Sequence, residues 1–275
     1  MRLRYQEEFL LRPIADVLAL RGWDVAPSAN PGEDLIEGRA DIALGSALDY
    51  SRFLGLVDYS LVPNFGITAR GFAGIMKVVF NTGLGTISTL AVRNAHSAAT
   101  LIATIILVEK HGIEPRLVEV GEDADVSVML EVADGALLAG DEAIFAPSSL
   151  TNALDLADEW EDITEHALPY ALAWGKTGQI PQAVLDEFLK ARDEAVLTLA
   201  DRTSGHEQTE QASAFYQRYL RGDIAYSLPE EEANDVLTPL FHYAFYHGII
   251  NDIPAIKYLP GEDSQTATEE SGDIS

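Results

Sequence analysis

This chain of 275 residues contains no cysteine. Neither a disulfide framework nor a thiolate metal site is therefore available to it. Positive charge is scarce as well: 18 Lys and Arg stand against 44 Asp and Glu, a formal net charge of −26. Such a balance repels phosphate backbones and anionic lipid, which argues against nucleic acid or membrane as a partner. The acids are spread along the whole chain, as in a solvated coat suited to a salty cytoplasm. Long apolar runs are missing too, and no window approaches the roughly eighteen uninterrupted apolar residues of a membrane span. The start, MRLRYQEEFLLRPI, has two early arginines, but Gln6, Glu7 and Glu8 break its apolar run. No small-residue cleavage site follows, so it does not read as a signal peptide. The expectation is a soluble, cytoplasmic protein.

Cofactor motifs are equally sparse. Gly83-Leu84-Gly85 lacks the third glycine of a dinucleotide fingerprint and precedes a strand where that fingerprint needs a helix. No GKS/T or GxSxG pattern occurs. His96, His111, His166 and His206 are scattered, while His242 and His247 have the wrong spacing for a helical zinc motif and no acid between them. Neither a metal nor a cofactor is expected.

What is present is an alternation of strands and helices. MRLRY reads as a first strand, and Leu10, Ile14 and Leu18 predict a helix over Glu7 to Gly22, with Pro13 near its start. WDVAPS is a second strand and PGEDLIEG a short helix. ADIALGSALDY gives a buried strand, Ile42 to Leu44, and then a tight turn at Gly45-Ser46-Ala47. An irregular strand segment, LVDYSLVPNFGITARG, leads to a strong β run, GIMKVVFN. A second, similar set follows: strand 88–92, helix 97–111, the strand RLVEVG, the strand-turn unit EVADGALLAGDEAIF, the helix DLADEWEDIT and the strand LPYALAW. Short strands between helices imply an α/β protein with mainly parallel sheets. Beyond Gly175 come long amphipathic helices, PQAVLDEFLKARDEAVLTLADR and EEEANDVLTPLFHYAFYHGII.

Two lobes account for this order, the chain leaving the first near Phe80 and returning near Trp174. Residues 1–82 and 174–260 then form lobe one, 83–173 lobe two, and 261–275 an acidic, disordered tail. The crossovers near Phe80–Thr86 and Ala171–Gly175 would serve as a hinge.

The most informative stretch is TISTLAVRNAHSAATLIATIIL, Thr86 to Leu107. It predicts a strand, a polar turn at Arg93-Asn94-Ala95-His96-Ser97 and a helix opening on small residues. Free N–H groups and the positive dipole end at such a helix start attract anions. Asn94, His96, Ser97 and Thr100 are either an ordinary helix cap or, with Ala98 letting a ligand approach, a grip for a carboxylate. Ser46 and Ala47, at a strand's carboxyl end, are a second candidate, because ligands of open α/β sheets bind there. Asp141, after Gly140, holds the equivalent place in the second lobe and reads more readily as a helix cap than as a base.

ADIALGSALDY, VVFNTGLGTISTLAV, HSAATL, HGIEP, ALLAGDEAIF, DLADEWEDITEHALPYALAWGK and YLRGDIAYSLPEEE, in this order, resemble the chorismate dehydratases of menaquinone biosynthesis by the futalosine pathway. The resemblance covers most of residues 7 to 260, and the run from DLADEW to AW is its most specific part. It implies a two-lobed, type II periplasmic-binding-protein-like fold with the C-terminal helices packed back on the first lobe. It also implies loss of water from chorismate to give 3-[(1-carboxyvinyl)oxy]benzoate, without metal or redox cofactor. The expected partner is a small anionic substrate, and a homodimer is left open.

The sequence departs from the family at one place. Its aromatic-Leu-Asn motif stands shortly before a proline, and the asparagine is assigned a catalytic role. With Pro13 as the matching proline, Leu10 takes that position; a shifted register would bring Glu7 or Glu8 to it. Two other functions remain open. One is the related naphthoate-forming enzyme, with His166 as its histidine. The other is a non-catalytic carboxylate-binding or sensor protein.

Overall fold

The computed structural model of the chain describes residues 1–52, 57–81, 83–147, 149–197, 218–219 and 222–259. Strands β1 (Arg2–Tyr5), β2 (Asp24–Pro27) and β3 (Ile42–Ser46) alternate with helices α1 (Arg12–Leu20) and α2 (Pro31–Ile36). β1 pairs in parallel with both other strands. Every residue of β3, parallel to β1 and antiparallel to the later strand Leu168–Lys176, is buried, as a strand covered on both faces requires. Helix α3 (Ala47–Arg52), β4 (Tyr59–Leu61) and β5 (Ile67–Ala69) follow.

The second set comprises β6 (Met76–Phe80), β7 (Thr89–Val92), α4 (Ala98–His111), β8 (Arg116–Glu119), α5 (Val126–Val132), β9 (Gly135–Ala139), α6 (Asp141–Ile144), β10 (Ala153–Asp155) and α7 (Leu156–Thr164). The chain then forms β11 (Leu168–Lys176), α8 (Gln182–Leu197), β12 (Ile224–Ala225) and α9 (Glu230–Tyr246). Two sheets result. A seven-stranded one has the order β12-β5-β11-β3-β1-β2, with β4 also on β11; a five-stranded one has the order β10-β6-β9-β7-β8.

This topology corrects the lobe boundaries read from the sequence. β6 pairs with β9 and β10 and so belongs to the second sheet, although its residues were assigned to lobe one. β11 lies in the first sheet from Leu168 onward. The chain therefore crosses between the sheets over residues 70–75 and 165–167, earlier than Phe80 and Trp174 in both cases. MKVVF and LPYALAW are apolar runs that suit a strand buried on both faces, and nothing in such a run names its sheet. The predicted tail, 261–275, lies outside the described residues.

The run DLADEWEDIT, which stood out in the sequence, sits at the first crossing. Asp155 caps α7 through the Ala157 N–H at 3.1 Å, and its other oxygen accepts from Gly74 N at 2.6 Å. Gly74 has φ +75, which favours glycine there. Glu161 accepts from Gly71 N at 3.0 Å and pairs with Arg70. Glu159 meets His111 at 2.6 Å and Lys110 at 2.9 Å at the end of α4, and buried Trp160 packs on Tyr243 of α9. The acids fasten the crossing and the end of α4 to α7, and Trp160 ties α7 to α9.

The C-terminal helices pack on the first sheet, as expected. α8 lies along α1, with Phe188 edge-on to Phe65 at 5.0 Å. α9 covers α3 and β11 through Phe241, Tyr50 and Trp174. The second sheet divides its side chains by the two-residue period of a strand. Val78, Leu90 and Leu137 join the main core, whereas Val79, Ala91, Ala136 and Leu138 form a smaller cluster with Met129 of α5. Among the described residues no helix is long and apolar enough to cross a membrane.

Candidate functional site

The carboxyl ends of both sheets point at each other. In the first, β1 runs out at Tyr5 into residues 6–11, β3 ends at Ser46, and antiparallel β11 pairs Ala171 with Ser46, which sets Tyr170 just beyond that edge. In the second, β7 leads to residues 93–97 and β9 to Gly140. The edges are joined by direct contacts. Phe9 N donates to Asp141 Oδ1 at 2.6 Å, Arg12 lies 3.7 Å from Asp141, and the Phe9 ring meets Phe145 edge-on at 5.3 Å. Arg52 of α3 donates to the His96 carbonyl at 3.0 Å.

Glu8 stands at this junction. Helix α1 begins only at Arg12, so the predicted helix from Glu7 is corrected: residues 6–11 form an irregular segment, with Pro13 in the first helical turn. Glu8 Oε2 accepts the Tyr170 hydroxyl at 2.5 Å, and no partner takes Oε1 among the described residues. Gly140, from the opposite sheet, closes over the pair. A Cβ there would lie 3.3 Å from both Glu8 Cδ and the Tyr170 hydroxyl, and its φ of +57 favours glycine besides. The carboxyl is partly exposed, yet burial pushes it up to about 7. The Tyr170 hydrogen bond opposes that shift, while Asp141 and Asp49 reinforce it. Burial likewise raises the Tyr170 phenol well above its ordinary value, keeping it a proton donor.

Gln6 stitches the first edge together. Its Oε1 accepts from Ser46 N at 2.9 Å and its Nε2 donates to Asp49 at 3.1 Å. Gly45 admits this, since a Cβ there would lie 3.3 Å from the Gln6 side chain. Asp49, raised by burial against the pull of Arg52, sits on the first turn of α3.

The second edge offers backbone donors. Ser97 is the N-cap of α4, accepting from Thr100 N at 3.2 Å, and Gly112 (φ +65) ends the helix. Asn94 accepts from His96 N at 2.8 Å, and Glu119 takes Ala95 N at 2.8 Å. The N–H groups of Ala98 and Ala99 meet no acceptor among the described residues. Arg93 is committed to Glu142 and to the carbonyls of Gly121 and Ala124.

The sequence candidates thus divide. Asn94, His96, Ser97 and Ala98 lie together at the α4 start, and Asp141 lies at the junction. Asp141 is not a helix cap: Gly140 holds the cap position and the Asp141 carboxylate reaches across to Phe9. Gly45 and Ser46 continue β3 where a turn was expected, and Ser46 Oγ accepts from Leu48 N at 3.2 Å to open α3. Ala47 is fully buried. Leu10 is fully buried too, its carbonyl taken by the Tyr226 hydroxyl at 3.1 Å. His166 stands on the second crossing, its backbone tied to Thr164. A hollow of about 630 Å³ beside Arg52, between Tyr59 and residues 249–257, does not reach Glu8 or Ser97.

Glu8, Tyr170, Arg12 and Gln6 were not singled out by sequence reasoning, except Glu8 through the shifted register. The signal for Glu8 was its place between the first strand and Pro13, outside a carboxyl end where α/β ligands bind.

A family model described as menaquinone biosynthesis matches residues 30–245. No curated protein matches the sequence significantly. Among solved structures, protein AF1704 of Archaeoglobus fulgidus is similar, with 18% identity, 90% of this chain and 98% of that one covered, and a TM-score of 0.63. The periplasmic aliphatic sulphonate binding protein SsuA of Escherichia coli has 12% identity, coverage of 92% and 94%, and a TM-score of 0.62. A ligand-binding component of an ABC-type import system from Staphylococcus aureus has 12% identity, coverage of 94% and 96%, and a TM-score of 0.60. These likenesses show the fold: two-lobed and periplasmic-binding-protein-like.

Proposed function

Since the chain belongs to the menaquinone-biosynthesis family, we propose that it is a chorismate dehydratase, a cytoplasmic carbon–oxygen lyase of the futalosine route. Chorismate carries two carboxylates and, on adjacent ring carbons, a hydroxyl and a proton. Loss of both as water gives 3-[(1-carboxyvinyl)oxy]benzoate. The elimination needs anion binding, a proton acceptor and a donor to the departing hydroxyl, and the gain of aromaticity leaves much of the catalysis to positioning.

The observation that carries this reading is that these groups stand on the carboxyl edges of the two sheets, which direct contacts join. The open N–H groups of Ala98 and Ala99 suit a carboxylate, with the α4 dipole behind them. Arg12 adds positive charge, and the Glu8–Tyr170 pair supplies proton chemistry. Contacts such as Phe9–Asp141 and Arg52–His96 draw the edges together, so entry of substrate entails opening them.

One observation favours a second reading, a carboxylate-binding protein without catalysis: buried Leu10 presents no amide where the family's asparagine would stand. Incubating the protein with chorismate at low and at high salt, with chromatography of the products, separates the two. The dehydratase reading expects 3-[(1-carboxyvinyl)oxy]benzoate. Unchanged chorismate at both salts, together with a ligand-induced rise in melting temperature, supports the binding protein.

A further inference from the structure

Resting on the dehydratase reading, we propose that Glu8 is the catalytic acid–base residue of this cleft, with Tyr170 positioning it. Three observations of geometry lead there. Glu8 leaves the sheet at the carboxyl end of β1, where an α/β protein presents groups to a ligand. Its Oε2 is fixed by the Tyr170 hydroxyl at 2.5 Å while Oε1 remains unengaged among the described residues, so the carboxyl has one held oxygen and one working oxygen. Gly140 approaches from the other sheet close enough that any side chain there would press on the pair, which puts the carboxyl between the lobes and off the outer surface.

The groups facing Glu8 are Tyr170 from β11, Asp141 from α6 and Asp49 from α3, with Arg12 of α1 beside Asp141. The two acids oppose a further negative charge, and burial acts in the same direction, so the carboxyl is held up to about 7. A base with that value is half ionised near neutrality and returns its proton readily.

The step balances within one residue. Ionised Glu8 takes the proton from the ring carbon bearing the enolpyruvyl ether. The freed electron pair forms the ring double bond to the neighbouring carbon, whose C–O bond breaks. The departing hydroxide takes the proton back from Glu8 and leaves as water, and the carboxylate is restored. No oxidant or reductant enters.

The test compares wild type, Glu8→Gln, Glu8→Asp and Tyr170→Phe for kcat, KM and pH profile with chorismate, and for the dissociation constant of the benzoate product. Glu8→Gln is expected to lower kcat by about 10²- to 10⁴-fold, the usual worth of a general base, with product affinity within about threefold. Glu8→Asp keeps a carboxyl set back by one methylene and is expected to lose roughly tenfold in kcat while keeping an ionising group in the acid limb. Tyr170→Phe removes a hydrogen bond that favours the charged carboxylate, so the acid limb moves to higher pH. Wild-type turnover with Glu8→Gln equally fast overturns the proposal and leaves the dehydratase reading standing. Absence of wild-type turnover overturns the reading and the proposal with it. Should Glu8→Gln not fold, a Glu8→Asp kcat equal to that of wild type overturns the proposal as well.

Discussion

Glu8 and Asp155 are both carboxyls pushed up by burial, and their surroundings give them different work. Burial pushes the Asp155 carboxyl up to about 6 and the Glu8 carboxyl up to about 7. Asp155 spends both oxygens on backbone donors, Gly74 N and Ala157 N, and so holds the crossing loop to the start of α7. Glu8 has one oxygen on a phenol and the other free among the described residues, at the place where the two sheets meet. A raised pKa alone therefore does not mark a reactive group. The decisive feature is whether the lone pairs are already taken by the fold.

This contrast can be broken first by exchanging the phenotypes. Glu8→Gln should lower chorismate turnover by about 10²-fold or more, whereas Asp155→Asn should leave kcat within about threefold. Asp155→Asn should instead weaken the fold, because its NH₂ faces a backbone N–H that then lacks an acceptor. A loss of about 1–3 kcal/mol, or roughly 2–10 °C in melting temperature, is expected in a thermal melt. Equal kinetic losses in the two variants would erase the distinction.

Gly140→Ala comes next in size. It forces an alanine to adopt φ +57 and pushes a methyl toward Glu8 and Tyr170. A stability cost of about 1–3 kcal/mol with a fall in kcat is expected from denaturant unfolding and steady-state kinetics. Ser97→Asp should be gentler and more selective. Asp caps a helix as well as Ser, so melting is unchanged, but its charge opposes a carboxylate at Ala98 and Ala99. Product affinity measured by calorimetry should drop about tenfold.

The smallest effect is the pH dependence of stability. Both carboxyls bind protons more tightly folded than unfolded, so their contribution is complete below the ordinary carboxylate range near pH 4. It is lost as pH rises through about 6 for Asp155 and about 7 for Glu8. Melting temperature should fall with rising pH across this window. Glu8→Gln should flatten the upper part of that slope and Asp155→Asn the lower part.

Much of this was legible in the residues. The strand-helix alternation announced an α/β protein, and Ser97 with the small residues after it marked the start of α4. What periodicity could not say was which sheet receives a strand buried on both faces, hence the misplaced crossings at β6 and β11. Glu8 was concealed differently. Leu10, Ile14 and Leu18 share a helical spacing, which drew Glu7 and Glu8 into a helix that in fact starts at Arg12. Tyr170 lay within an apolar strand, and only the pairing of Ala171 with Ser46 sets it at the cleft. The DLADEWEDIT run, conspicuous in sequence, is accounted for by the crossing it fastens.

A structure of the protein with 3-[(1-carboxyvinyl)oxy]benzoate bound decides whether Glu8 and the start of α4 hold one ligand between them. The expected structure has a ligand carboxylate on the N–H groups of Ala98 and Ala99, with Glu8 Oε1 against the ether-bearing ring carbon and its neighbour. A product molecule seated elsewhere, with Glu8 still closed off beneath Gly140, would contradict it.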